Sequence, residues 1–147
     1  SDVRVVVARQ GYRLDKLVDD EDYNVRKAVA LTGYGLDTLV DDTNYEVRVA
    51  VASIDHDDKR LLKLSNDKNI YVRAAIAKRG IALDKLINDE SLFVRIAAIS
   101  KMRLDDVDTL FNIAFDRSNV LYDDAAARLV ELYYEVQDSE ASLDIKE

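Results

Sequence analysis

The stretch Asp55-His56-Asp57-Asp58 places four side chains in a row that can each ligate a cation or relay a proton. His56 is the chain's one histidine, and there is no cysteine and no tryptophan. Thiolate catalysis is therefore excluded, and a Ser-His-Asp relay would hang on His56 alone. Local context favours a structural role for the tetrad. Asp55 falls where sister segments carry a helix-closing glycine, and Asp57 or Asp58 can cap the following "KRLLKL" helix. The expectation is a non-enzymatic chain with no metal, no cofactor and no catalytic residue. A metal or enzymatic site at Asp55–Asp58 is the alternative.

The other residues with chemical potential come in rows. Arg4, Arg26, Arg48, Arg73 and Arg95 each follow a valine, while Asp20, Asp42, Asp67 and Asp89 each stand five residues before one. A row of arginines can track phosphates. Here a row of aspartates recurs at the matching period, so a structural ladder is expected instead, each Arg meeting an Asp of its own or the adjacent unit. The "DDED", "DD", "ND" and "NDE" clusters fall on equivalent turns and predict a solvated acidic edge.

These rows imply repeated elements to carry them. Val-Arg occurs at 3–4, 25–26, 47–48, 72–73 and 94–95, at spacings of 22, 22, 25 and 22 residues. A second mark, Leu with an apolar residue three positions on, begins at Leu14, Leu36, Leu61, Leu83 and Leu104. N-cap types (Asp22, Asn44, Asn69, Ser91) precede each valine by three, and Gly11, Gly33, Asp55 and Gly80 follow by eight. The former start a helix; the latter suit a left-handed residue closing it. Between them Val25, Ala28 and Val29 set the inward face at helical spacing, with small residues recurring at Ala28, Ala50, Ala75 and Ala97. The "LDKLV" element is too short to stand alone and fits either a 3₁₀ turn or a stubby α-helix. Neither half buries its apolar face unaided, so the units must stack.

The expected fold is all-α: a right-handed α-α superhelix, or solenoid, of about five ~22-residue two-helix repeats with a C-terminal capping helix pair. The repeats run over about 1–22, 23–44, 45–69, 70–91 and 92–113, with a cap at 114–137 formed from helices at about 104–116 and 120–137. Residues 1–137 read as one domain and 138–147 as a flexible acidic tail. In the last helix, Leu129, Leu132, Tyr133 and Val136 define an apolar face, and Arg128, Glu131 and Glu135 a wet one.

The run Asp-x-x-x-x-Val-Arg-x-Ala resembles HEAT-like and phycobilisome-lyase-like bacterial repeats. The short period and "LDxLV" look closer still to the leucine-rich-repeat-variant branch, across about residues 1–110. That resemblance implies alternating α and 3₁₀ helices and the same Asp–Arg ladder, and it brings no identifiable catalytic residue. The iron–sulfur module of one variant-repeat protein has no counterpart, since cysteine is absent.

With the valines inward, the positions one before, two after and six after each valine face outward. They are Val5, Arg9; Asn24, Lys27, Leu31; Glu46, Val49, Ser53; Tyr71, Ala74, Lys78; Phe93, Ile96, Ser100. They vary while the core positions repeat, as a recognition surface on a scaffold would. Val49, Tyr71, Ala74, Lys78, Phe93 and Ile96 are the candidate partner-binding residues, with Tyr71, Phe93 and Ile96 as an apolar anchor patch. Tyr71 and Phe93 folded under neighbouring turns is the competing reading. The expected partner is a protein or peptide. A nucleic-acid-binding HEAT-like module through Arg9, Lys27 and Lys78 is the alternative, disfavoured by the net charge of -8.

No apolar run approaches the ~20 residues of a membrane span, and the N-terminal "SDVRVVVARQGY" lacks the marks of a signal peptide. With no cysteine, a cytoplasmic location is expected. The N-terminal repeat, with Val6 in place of the usual alanine, has an uncapped edge. That fits either a shortened chain or self-association through this edge.

Overall fold

The computed structural model describes residues 2–144, with side chains through Ser142. All of its regular elements are helical. Long helices alternate with short ones. The long ones are α1 (Asp2–Arg9), α3 (Tyr23–Ala30), α5 (Tyr45–Ile54), α7 (Ile70–Lys78) and α9 (Leu92–Ile99). The short ones are α2 (Leu14–Leu17), α4 (Leu36–Leu39), α6 (Asp58–Leu64) and α8 (Leu83–Leu86). A 3₁₀ turn (Leu104–Asp106), α10 (Val107–Ala114) and α11 (Tyr122–Asp144) complete the order. The "LDxL" elements are thus α-helical in α2, α4 and α8, and 3₁₀ at Leu104.

The helix starts follow from the caps. Asp22, Asn44 and Asn69 adopt extended backbone, and their side chains accept the N–H of Asn24, Glu46 and Tyr71. Ser91 occupies the same position but makes no side-chain cap bond. Gly11, Gly33 and Gly80 close their helices at φ 78, 85 and 74°. Asp55 departs from the expected left-handed closure. Its φ of −63° and ψ of 146° are extended, in the unit that carries three extra residues.

The three "LDxL" helices α2, α4 and α8 share an entry requirement that composition did not reveal. Arg13 (φ 56°), Gly35 (φ 65°) and Ala82 (φ 53°) all take left-handed backbone just before an "LDxL" helix. At Gly35 the requirement is also spatial: a Cβ would stand 2.7 Å from Val18 Cγ2.

The chain divides into two compact units, residues 1–82 and 83–147. In the first, α1 packs on α3, α3 on α5 and α5 on α7, with α2, α4 and α6 bridging consecutive long helices. Val25, Val29, Val47, Val51, Val72 and Ile76 are fully buried, as the repeat pattern requires. The short helices contribute Leu17, Leu39, Leu61 and Leu64. The position five after each valine is equally deep, since Ala8, Ala30, Ala52 and Ala77 are all at 0% exposure. Small side chains there let adjacent helices approach closely.

In the second unit α8 lies on α9, α10 on α11, and α11 on α9. Ile87, Ile99, Met102, Leu110, Leu121, Ala125 and Leu132 form its core. Helix α11 runs on to Asp144 through much of the segment expected as a tail; residues 145–147 lie outside the described residues. Its faces also differ from expectation. Tyr133 is exposed, whereas the Arg128 side chain is only 14% exposed. Arg128 Nε donates to the Met102 carbonyl at 2.9 Å, and Nη1 donates to Glu131 and Glu135, so this arginine ties α11 to the end of α9.

Candidate functional site

The arginines following the valines at 25 and 47 build matching corners. Arg26 Nη1 donates to the carbonyls of Asp20 (2.7 Å) and Glu21 (3.2 Å), which fixes the guanidinium plane. Its Nε and Nη2 then donate to the two oxygens of Asp42 at 2.7 and 3.0 Å. Arg48 repeats this with the Asp42 and Thr43 carbonyls and with Asp67 at 2.7 and 2.9 Å. Arg4 lies 3.1 Å from Asp20. Arg73 Nη1 holds the Asp67 carbonyl, and Arg95 Nη1 holds those of Asp89 and Glu90. Arg26, Arg48, Arg73 and Arg95 therefore each grip the backbone of their own turn, and Arg26 and Arg48 also take the carboxylate of the next.

The aspartates are prepared for this. Asp20, Asp42, Asp67 and Asp89 each accept the N–H two residues on, from Asp22, Asn44, Asn69 and Ser91 respectively. Burial alone would raise the Asp42 pKa, but the Arg26 hydrogen bond and the Asn44 N–H hold it below the ordinary carboxylate value. The Arg26 and Arg48 pKa values are raised by the hydrogen bonds of their Asp partners. The acidic edge is in this way half committed to internal contacts, and Asp41 adds an ion pair with Lys63 at 2.6 Å.

The outward stripe forms grooves in the first unit. One, of about 490 Å³, lies along α1 and α3 between Val5, Val6, Arg9, Asn24, Lys27 and Leu31. The next, of about 340 Å³, continues from Lys27 and Leu31 across Tyr45, Glu46, Val49, Ser53 and Tyr71. Tyr45 and Tyr71 stack with ring centroids 5.7 Å apart and form an aromatic wall. Lys27 Nζ meets Glu46 at 2.7 Å on the rim, so it is not an isolated phosphate contact. Tyr45 belongs to this wall although the outward pattern omits it. Its position, two before the valine, is occupied by Asn24's neighbour Tyr23 and by Ile70 and Leu92 in other copies.

The structure thus brings together Val49 and Tyr71, with Val49 half-buried and Tyr71 52% exposed. Lys78 is exposed on the same helix as Tyr71. Ala74 is corrected: it is buried at 1%, because a methyl group at this position does not reach past its neighbours as Lys27 and Val49 do. Phe93 (44%) and Ile96 (39%) are exposed on α9 of the second unit. Tyr71 and Phe93 are therefore surface rings.

The Asp55–Asp58 tetrad is disassembled. Asp55 is buried at 1% and accepts Arg60 Nε at 2.6 Å and Nη2 at 2.9 Å, together with the Asp57 N–H. The Arg60 bonds hold the Asp55 pKa below its ordinary value. Asp57 caps α6 by accepting the Arg60 N–H, and His56 and Asp58 point to solvent. No group of three or more ligating side chains among the described residues is placed to hold a metal. Nor is any helix among them long and apolar enough to cross a membrane.

Comparison with protein-family models, with curated proteins and with solved structures returns no match.

Proposed function

We propose that the chain is a HEAT-like α-solenoid scaffold that binds a protein or peptide without catalysis, through the outward stripe of its Val-Arg helices. The stacking of α1, α3, α5 and α7 and the repeated Arg–Asp corners support the solenoid reading. One observation carries the binding reading. The residues that vary between copies converge on a groove lined by Leu31, Val49 and Tyr71, together with Tyr45 stacked on Tyr71 and the Lys27–Glu46 pair. A volume of about 340 Å³ accommodates a few apolar side chains. The ion pair beside it supplies polar contacts that fix register.

A random peptide library panned against the full chain tests this. Enriched peptides are expected to share an apolar or aromatic anchor, and Leu31→Ser with Tyr71→Ser is expected to weaken them at least tenfold while leaving the circular dichroism spectrum and melting temperature in place. Peptides that bind the double variant as well as the wild type would move the site elsewhere.

A further inference from the structure

The arginine of α9 is set up like those of α3 and α5, yet among the described residues no carboxylate stands where theirs do. In all three the Nη1 group is locked by the carbonyls six and five residues earlier, at 2.7 and 3.2–3.3 Å. That lock aims the Nε–Nη2 edge. In Arg26 and Arg48 this edge takes an aspartate bidentately, from the next acidic turn. Asp42 lies 17 residues after Val25, and the residue in that register after Val94 is Phe111. Helix α10 occupies the stretch where a "DD" turn would stand.

The acidic turns that follow α9 do not substitute: in Leu104–Asp106, Asp106 accepts the Arg103 N–H at 2.9 Å and Asp105 is exposed. In Asp116-Arg117-Ser118-Asn119, Asp116 accepts the Ser118 N–H at 3.0 Å and the Ser118 hydroxyl at 2.6 Å, and Asn119 accepts the Leu121 N–H. Among the described residues, no carboxylate meets the Nε–Nη2 edge of Arg95.

We infer that this edge of Arg95 is a preorganised receptor for a carboxylate on a partner chain, an acidic side chain or a C-terminus. A guanidinium whose plane is already fixed loses little freedom on forming two parallel N–H···O bonds, and a planar carboxylate matches that fork. Acidic neighbours do not prevent it: Arg26 has Glu21 beside it and still holds Asp42. The site lies in the second unit and is independent of the groove reading.

The test uses the full, ¹⁵N-labelled chain and its arginine Nε–H cross-peaks. The probe is the chain's own rung, acetyl-VDDTNYEV-amide, corresponding to residues 40–47. A second peptide has its three acidic residues replaced by amides and a free C-terminal carboxylate. The Arg95 peak is expected to move downfield while those of Arg26 and Arg48 stay. The probe is expected to bind Arg95→Lys roughly tenfold more weakly, since lysine cannot form the fork. An unchanged Arg128 Nε–H peak in that variant, which reports the bond to the Met102 carbonyl in the same unit, verifies its fold. Movement with the first peptide assigns the site to acidic side chains, and movement with the second alone assigns it to chain ends. An Arg95 peak unmoved by both peptides overturns the inference. So does an Arg95 peak that shifts on Asp116→Asn without any probe, because the edge would then be filled from within the chain.

Discussion

Arg48 holds Asp67 across 19 residues of sequence by two parallel bonds, Nε at 2.7 Å and Nη2 at 2.9 Å, with both side chains at or below 10% exposure. The pair joins two consecutive repeats, and neither charge has water to fall back on. Removing one partner strands the other. Asp67→Asn is expected to destabilise the fold by about 3 kcal/mol, seen as a melting temperature lower by roughly 10 °C. The solvent-exposed pair Lys63–Asp41, with side chains 55% and 64% exposed, provides the control. Asp41→Asn is expected to change stability by less than about 1 kcal/mol. Equal effects of the two substitutions would show that the buried rungs do not differ in kind from surface pairs.

Arg–Asp pairs of this kind set an acid limit. Asp42 and Asp55 have folded-state pKa values below their unfolded ones, because arginine hydrogen bonds favour the charged form. For a depressed carboxylate the unfolded chain takes up the proton first, at about pH 4. The stabilisation is therefore complete well above that pH and is lost as pH falls through it toward the folded value. Urea denaturation midpoints are expected to be flat from about pH 8 to pH 5 and to decline steeply below pH 4. A protein whose midpoint rises on acidification would contradict the ladder.

Two glycines of one turn should respond differently to the same methyl group. Both Gly33 (φ 85°) and Gly35 (φ 65°) are left-handed, so alanine strains either. At Gly33 the new Cβ meets nothing within 4 Å, and at Gly35 it meets Val18 Cγ2 at 2.7 Å. Gly33→Ala is expected to cost about 1 kcal/mol, and Gly35→Ala clearly more, as the β-branched Val18 side chain must give way to the new methyl group. Chemical denaturation of the two variants side by side decides it.

The repeat made most of the helix order legible, because a cap residue, two inward valines and a closing glycine recur at one period. The Arg–Asp rungs were legible for the same reason: charges of opposite sign at equal spacing can meet only if the units stack in register. Less of the site was visible. Ala74 was misplaced because a period assigns a direction but not the reach of a side chain. Tyr45 was missed since its ring reaches the groove by stacking on Tyr71, a contact between copies rather than a mark within one. Arg79, whose Nη1 donates to the Ala52 carbonyl at 2.7 Å, and Arg128 were likewise invisible as helix-end ties. They occur once each, so no repetition exposes them. Left-handed backbone at Arg13 and Ala82 had no glycine to announce it.

The last prediction concerns Asp55-His56-Asp57-Asp58, the stretch with the greatest apparent capacity for metal chemistry. Its four side chains face different tasks in the structure. Asp55 is buried and holds Arg60 by two bonds, and Asp57 caps α6, which leaves His56 and Asp58 exposed. A cation would have to displace a guanidinium from a buried carboxylate and uncap a helix to gather three ligands. His56→Ala is expected to shift stability by no more than about 0.5 kcal/mol, as for any surface position without a structural contact. Asp57→Ala is expected to cost about 1 kcal/mol through the lost cap, and Asp55→Asn to lower the melting temperature measurably by stranding Arg60. Millimolar zinc, calcium or magnesium is expected to leave the melting temperature of the wild type unchanged, since a ligand that favours the folded state must raise it. A cation-dependent rise that His56→Ala abolishes would instead establish a metal site there and replace the structural account of all four residues.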